Sequence, residues 1–558
     1  MKTIYYLFFL LLCPMSNIIC GQTPNWSWVK HPISSTYSYN YSKTCTDASG
    51  YVYITGSFSD TITFGAYTLK SQWPDPQNGA DIYLAKYDSS GNVIWATCWQ
   101  GREFDQGDAI CTDPAGNIYI GGRFKSDFIS SGPDTLMNPS PGDGIFIMKY
   151  NSSGQLLWTR VGGANFFAYQ SCYSISTDSL GYIYASGNFG GYYIAFNTDT
   201  LYAKNVSLGG HMFLIKYDSS GNVIWGQAIE AGNIYSKNDN TGNTFIAGEI
   251  VGSPIIIGDD TINNLAGINT YIAKVDVSGN FLWGKTTIGD GSNYVRAINS
   301  DDSNNLYISG KFQGTYISFD SFTLHNHGLY DGYLVKYSSN GSVVWAKQVG
   351  GPGETVISDI AKDTYGHLYV TGFFDSSYTV FNSDTLRNSV QTSVQTTMFV
   401  AKYNMMNGYP VWVQSSMPGG GDFDQQITSD VNGNVYAVGQ IRYPYKTFGR
   451  DTIFDTISAV GIYVAKIGTT NPTTGIHQNL KSSDVIIYPN PSTGIVYFTG
   501  VELGYTISVY NLLGEIVRSG QVDSSEFGMN LSSQASGIYI CKVIDNKGQV
   551  HERKIIKE

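Results

Sequence analysis

Seven aspartates recur along the chain at nearly even intervals: Asp47, Asp113, Asp178, Asp239, Asp301, Asp363 and Asp430. Carboxylates repeated at one level of a ring could together hold a hard cation such as calcium, which takes roughly six to eight oxygen ligands. Each Asp, however, stands three residues before Gly50, Gly116, Gly181, Gly242, Gly366 or Gly433, with Asn304 in the fifth copy. Gly and Asn are the residues that accept positive φ, and an Asp ahead of them caps a tight turn by accepting backbone N–H bonds. A feature present in every repeat answers a need of every repeat. The Asp column therefore reads as a turn cap, with calcium the one candidate metal and no other cofactor expected.

A lysine column (Lys86, Lys149, Lys216, Lys274, Lys336, Lys402, Lys466) and a tryptophan column (Trp28, Trp95, Trp158, Trp225, Trp283, Trp345, Trp412) run in parallel with it. The lysines are expected to pair with the Asp or lie along aromatic rings, and the tryptophans to pack one unit on the next. His325 and His327 are the only neighbouring histidines. A His-x-His in a loop can bind a metal, but no third ligand stands beside it in the sequence. No G-x-S-x-G, H-E-x-x-H, P-loop or Rossmann phrase occurs, and Asp302 opens no EF-hand, lacking the Gly and the distal Glu. No catalytic residue is expected.

The elements that must position these columns are strands. Of 558 residues only 14% are charged, aromatics also reach 14%, and there are 42 tyrosines and 63 glycines. That composition excludes a disordered chain and suits many short strands joined by tight turns, so the fold class is all-β. A net charge of −11 without any basic run excludes a nucleic-acid partner.

Residues 1–21 read as a secretory signal peptide: Lys2, an apolar run from Ile4 to Cys13, and a polar exit near Gly21. The run is shorter than the roughly 20 apolar residues that span a bilayer, and no later segment reaches that length, so no transmembrane segment is expected in the mature chain. Bulky Ile19 precedes Cys20, which disfavours lipid attachment. Of seven cysteines, Cys45, Cys98, Cys111, Cys172 and Cys541 remain after cleavage. They are too few for a disulfide framework and lack CxxC spacing for zinc; a single bridge such as Cys98 to Cys111 stays open.

Within residues 22–468 one unit is written seven times. IYLAKYDSSGNVIW, ending at Trp95, returns as IFIMKYNSSGQLLW and MFLIKYDSSGNVIW, then in three looser copies ending at Trp283, Trp345 and Trp412. Between them stands D-x-x-G-x-x-Y-x-x-G, and a third phrase places Thr at 68, 135, 200, 261, 323, 385 and 452. Each unit thus carries strand A ending at the Asp, strand B through the Tyr and Gly, a variable excursion with the Thr, strand C with the Lys and strand D with the Trp. A-to-B and C-to-D are tight hairpins. Repeated four-stranded sheets of this kind bury their faces only against one another, as in a β-propeller. The array opens with a lone strand D at Trp26 to Lys30 and ends with a lone strand C at Ile462 to Ile467. These orphans would form one hairpin if the ring closes through the N-terminal strand.

The phrases GNVIWA, D-x-x-GN-x-Y-x-x-G and A-K-Y-D resemble the repeats of secreted seven-bladed β-propeller proteins of bacteria, the SBBP type. The tryptophans also resemble the docking tryptophans of quinoprotein dehydrogenase propellers, and the turn resembles the sialidase Asp-box. Asp88 to Gly91 is one residue short of the quinoprotein phrase, however, and the Asp-box aspartate is displaced by one.

A Thr, Asn and Gly-rich linker occupies 469–483, and 484–558 brings new strands that suggest a small β-sandwich. Tyr488-Pro489-Asn490-Pro491 with Gly494, Val509-Tyr510-Asn511 with Gly514, Gly537-Ile538-Tyr539 and Lys554-Ile555-Ile556 closely resemble the C-terminal sorting domain of the type IX secretion system of Bacteroidetes. That resemblance implies the type IX secretion machinery as partner of 484–558, with the product secreted or attached to the cell surface.

The tight hairpins lie on one face of such a ring, and the D-to-A and B-to-C connections on the other. The D-to-A loops share glycines but differ in aromatics and acids, so Trp99, Asp105, Phe166, Tyr169, Tyr294, Glu354, Asp422 and Phe423 are the candidate ligand-binding residues around the channel mouth. Aromatics beside carboxylates suit an extracellular glycan or a protein. The expected function is that of an exported, non-enzymatic binding or adhesion module. The alternative is a secreted propeller enzyme, a polysaccharide hydrolase or lyase or a quinoprotein, using the same face.

Overall fold

The computed structural model describes residues 24–34, 42–74, 79–165, 169–197, 199–203, 211–230, 232–251, 255–257, 260–262, 267–382, 384–388, 396–416, 425–441, 445–449, 451–454, 461–468 and 486–488. Beyond these it describes 492, 494–499, 501, 503–511, 514–523, 527–546 and 550–557. The expected signal peptide and linker, and candidates Phe166, Asp422 and Phe423, lie outside the described residues. The chain forms two compact units, Met1–Asn471 and Pro472–Glu558.

The first unit is all-β, with seven antiparallel arrays of four strands. The first sheet runs Lys43–Thr46, Val52–Phe58, Asp81–Tyr87 and Val93–Trp99 from its inner to its outer edge. The second to sixth repeat this A-B-C-D order, beginning at Asp105, Ser171, Tyr235, Asn293 and Thr355. In the seventh, Gln426–Ser429, Val435–Ile441 and Gly461–Ile467 are followed by Trp26–Lys30, which pairs antiparallel with Gly461–Ile467 in a register that sets Trp28 opposite Lys466.

Between strands B and C each excursion folds into a short hairpin, such as Tyr193–Phe196 with Asp199–Tyr202, which carries Thr200. That hairpin pairs with strand D of the preceding sheet, Gly162 opposite Phe196, and so covers an edge that would otherwise invite aggregation.

Adjacent inner strands are tied by a belt of hydroxyls. Where the residue before the Asp carries a hydroxyl, it donates to the carbonyl of its counterpart one sheet earlier: Thr112 Oγ1 to Thr46 O at 2.8 Å, Thr177 to Thr112 at 2.9 Å, Ser300 to Asn238 at 2.5 Å and Ser429 to Lys362 at 2.5 Å. Thr46 Oγ1 donates to Ser429 O at 2.7 Å, so the first and seventh inner strands are neighbours.

The Asp column caps its turns. Asp47 Oδ1 accepts the amides of Ser49 and Tyr51 at 2.9 and 3.0 Å, while Oδ2 accepts the Tyr53 hydroxyl at 2.8 Å. The same tyrosine bond recurs at Asp113, Asp178, Asp301, Asp363 and Asp430. Those tyrosines are buried between sheets with the strand B aliphatics, and the Trp column packs against them, for example Tyr53 with Trp95 at 6.2 Å between centroids. The rings of Trp28, Trp95, Trp225, Trp283 and Trp345 also lie on the glycine of the next C–D turn. A Cβ on Gly154, whose φ is +83°, would stand 3.0 Å from Trp95, so both the turn and the ring require glycine there. Five of the lysines (Lys86, Lys149, Lys216, Lys336 and Lys466) reach forward over a tyrosine ring to a carbonyl of the next turn, as Lys86 Nζ does to Ser152 O at 2.9 Å.

The second unit is two antiparallel sheets sharing one core. Ile486–Tyr488, Ile495–Thr499 and Phe527–Asn530 form one; Ile516–Gln521, Thr506–Tyr510, Gly537–Ile544 and Val550–Lys557 form the other. Val496, Phe498, Val509, Met529, Tyr539, Cys541 and Ile555 are buried among its core residues. The bridge left open between Cys98 and Cys111 is not formed: Cys45, Cys98, Cys111, Cys172 and Cys541 are free thiols. Among the described residues no helix is long and apolar enough to cross a membrane.

Candidate functional site

All seven A strands line one cavity of about 350 Å³ at the centre of the first unit. At one end stand the Asp-capped turns, whose carboxylates are taken up by backbone amides and tyrosine hydroxyls. The other end is built differently. In four A strands the residue five places before the Asp is a β-bulge: Asp108, Tyr173, Arg296 and Ser358 have no partner in the register with strand B. A bulge kinks the strand and re-aims its side chain, and Asp108, Tyr173 and Arg296 line the cavity.

In these four sheets the last glycine of D-x-x-G-x-x-Y-x-x-G makes room for the bulge. A Cβ on Gly122, Gly187, Gly310 or Gly372 would come within 1.8–2.0 Å of a backbone oxygen of strand A. The residue after that glycine differs in every sheet: Ser57, Arg123, Asn188, Glu249, Lys311, Phe373 and Gln440.

Two of these positions organise charged and aromatic groups at the mouth. The Arg123 guanidinium lies over the Tyr169 ring at 4.1 Å and the Phe104 ring at 4.9 Å, with Asp143 at 3.8 Å, Asp108 at 4.0 Å and Gln106 Oε1 at 3.2 Å. Burial pushes the Asp108 carboxyl up, and Arg123 and the Ser171 hydroxyl only partly offset it. Across the mouth, Lys311 Nζ pairs with Glu354 at 2.6 Å and lies 4.3 Å from the Tyr330 ring centroid and 5.6 Å from that of Tyr294. Between them, burial raises the Glu249 carboxyl to about 6, with Arg296 and a 2.5 Å hydrogen bond from Asn233 pulling the other way.

The structure thus brings Tyr294 and Glu354 together through Lys311, and sets Tyr169, 49% exposed, on Arg123. Trp99 and Asp105 require correction: both are buried, at 2% and 0% exposure, and do not face the mouth. Trp99 Nε1 donates to the Tyr150 hydroxyl at 2.5 Å inside the apolar layer between the first and second sheets. Asp105 accepts the amides of Lys125 and Ser126 at 2.9 and 3.1 Å and the Ser126 hydroxyl at 2.8 Å, pinning the excursion over strand A. Sequence reasoning missed Arg123, Lys311, Tyr330 and the bulged residues; the column that changes from repeat to repeat was the signal for the first two. His327 Nδ1 contacts Asp331 and Gln348 at 3.0 and 2.7 Å. Among the described residues no group of three His, Cys, Asp or Glu could hold a metal ion.

Residues 486–558 match the family of secretion system C-terminal sorting domains. The chain is exported through type IX secretion to the cell surface or beyond it. Over 439 residues, 64% of this chain, it is 24% identical to an uncharacterized WD repeat-containing protein of Acanthamoeba polyphaga mimivirus, and spans about a third (31%) of that protein's length. Among solved structures it is similar to the Neurospora crassa Pan2 WD40 domain, with TM-score 0.38 and 8% identity over 80% of this chain and 99% of that one. It is also similar to PorZ, a surface component of the type IX secretion system of Porphyromonas gingivalis, with TM-score 0.24 and 10% identity over 95% and 100% of the two chains. The exported protein is an all-β, propeller-like repeat protein carrying a sorting domain.

Proposed function

We propose that this protein is a non-enzymatic binding module outside the cell, docking a glycan or a protein on the bulged mouth of a seven-bladed, SBBP-type propeller. The pairing of Trp26–Lys30 with Gly461–Ile467 supports a ring completed by the N-terminal strand. One observation carries the functional reading. The Asp, Tyr, Gly, Lys and Trp columns repeat with few exceptions, whereas the column at the mouth holds Ser57, Arg123, Asn188, Glu249, Lys311, Phe373 and Gln440. Repetition answers the common demand of packing; divergence confined to one end of a rigid scaffold is the pattern of a recognition surface. Tyrosine faces beside fixed cations and carboxylates offer stacking area and directed hydrogen bonds together, the combination that sugar rings and polar peptide segments require.

The test is a screen of the full chain on immobilised glycans and on surface proteins, followed by affinity measurement for the ligand found. Arg123→Ala and the double variant Lys311→Ala/Tyr330→Ala are expected to weaken binding at least tenfold, while Ser90→Ala on the hairpin face leaves it unchanged. Undiminished binding by the mouth variants would remove the reading. The enzyme alternative draws on the two carboxyls that burial raises at the mouth, Asp108 and Glu249. Turnover of a polysaccharide that Glu249→Gln or Asp108→Asn abolishes would replace the binding module with that enzyme.

A further inference from the structure

The cavity wall runs against the charge of the chain. The protein carries a net −11, yet the charged residues lining the channel are Lys43, Lys237, Arg296 and Lys362 against only Asp108 and Asp359. The two carboxylates are occupied by the protein itself. Asp108 accepts the Ser171 hydroxyl and faces Arg123, and Asp359 accepts the amides of Ile360 and Ile427, each at 2.8 Å. Of the cations, Lys362 is paired with Asp302, and Arg296 sits beside Glu249.

Lys43 and Lys237 are left. Lys43 Nζ has a neutral partner, Gln426 Oε1 at 3.2 Å. Lys237 has neither a hydrogen bond nor an ion pair among the described residues, and burial lowers its ammonium from the ordinary value, with Lys362 adding to the fall and Cys111 and Asp359 opposing it only in part. It also breaks its own column: the residue two places before each Asp is otherwise Cys45, Cys111, Ser176, Asn299, Ala361 or Thr428, all neutral. A cation introduced once into a cavity, with only Asp359, itself held by two amides, drawing on it electrostatically, costs desolvation that the fold recovers only in part.

We propose that the channel is an anion site, in which one carboxylate, sulfate or phosphate group is held by Lys237 with Lys43. An opening of about 350 Å³ admits such a group with its waters. The low-dielectric walls strengthen the attraction relative to bulk water. This assignment is independent of what docks on the mouth, since neither lysine belongs to the Arg123 or Lys311 clusters.

Calorimetric titration of the purified full chain with sulfate, phosphate and glucuronate, at constant ionic strength in chloride and pH 7.5, tests it. The expected result is one saturable site for at least one probe, with the preferred probe telling a tetrahedral oxyanion from a sugar carboxylate. Lys237→Gln is expected to weaken that binding at least tenfold and Lys43→Gln several-fold, while Lys285→Gln, an exposed lysine paired with Asp320, leaves it unchanged. Lys237→Gln is also expected to raise the unfolding temperature without anion and to erase the rise that the anion causes in the parent. No saturable heat with any probe, equal affinity in Lys237→Gln, or an equal loss in Lys285→Gln would overturn the proposal.

Discussion

Trp28 and Lys466 donate to the same acceptor. The Trp28 indole Nε1 and the Lys466 Nζ reach the carbonyl oxygen of Ser89 at 3.2 and 3.0 Å, although they come from opposite ends of the first unit. Inside the array the same pair of bonds joins residues of a single hairpin: Trp95 and Lys86 to Ser152 O, Trp158 and Lys149 to Ser219 O. The lone N-terminal strand therefore makes the docking contacts of a strand D. The sixth sheet complements this. No such acceptor is described for Lys402 and Trp412, and in the sheet that follows them Gly461–Ile467 pairs with Trp26–Lys30, a strand not joined to it by a C–D turn.

Trp28→Ala should then cost as much as Trp95→Ala. Each loses a ring seated on a turn glycine, Gly91 or Gly154, and one hydrogen bond, and the expected destabilisation is about 2–4 kcal/mol. Chemical denaturation of both variants beside the parent gives the comparison. A full loss for Trp95→Ala with none for Trp28→Ala would mean that the N-terminal strand is not part of the cooperative unit.

How much of this was legible without coordinates depends on whether a contact repeats. The Asp cap, the Tyr beneath it, the forward-reaching Lys and the docked Trp recur in nearly every sheet, so their periodicity exposed them. The last Gly of the phrase was visible as a column, but its cause, a bulge pressing a carbonyl to within 2.0 Å of a Cβ at Gly122, was not. Trp99 and Asp105 misled because their partners, Tyr150 and Ser126, belong to one particular excursion and sheet pair; a contact made once leaves no period to read. Arg123 and Lys311 were legible in principle, as departures at a fixed place in strand B. Which rings and carboxylates surround them depended on loops whose conformation no repeat specifies.

The fourth sheet breaks the tyrosine column at Phe245, and Lys274 fills the vacancy. Its Nζ lies 2.8 Å from Asp239 Oδ2, with both side chains nearly inaccessible. Burial opposes ionisation of Asp239, yet the hydrogen bonds from Lys274, Thr241 and Asn243 hold its carboxyl below the ordinary range. Lys274→Gln strands a buried carboxylate and is expected to cost about 3 kcal/mol. Lys86→Gln, where Tyr53 still serves Asp47, is expected to cost about 1 kcal/mol. Restoring the column in the double variant Phe245→Tyr/Lys274→Gln should recover part of the loss, measured as the change in unfolding midpoint.

Acid stability follows from three carboxyls that burial raises to about 6: Asp81, Glu249 and Asp359. Among the described residues Asp81 Oδ2 and Glu249 Oε1 have no hydrogen-bond partner, as suits a group protonated more readily than usual. Such a group binds its proton more tightly folded than unfolded, so the folded state gains as pH falls from about 6 to the unfolded value near 4. The capping carboxylates act in the opposite sense. Asp239 and Asp301 are held below their ordinary value by hydrogen bonds that outweigh burial, and their contribution is lost as pH falls below about 4. The unfolding temperature is therefore expected to rise between pH 7 and pH 5 and to drop below pH 4. Glu249→Gln, which keeps the Asn233 contact without a titrating proton, should flatten the rise and leave the acid limb in place. A midpoint that falls steadily from pH 7 downward in the parent would show that these carboxyls titrate normally and that the mouth around Glu249 is wetter than its burial indicates.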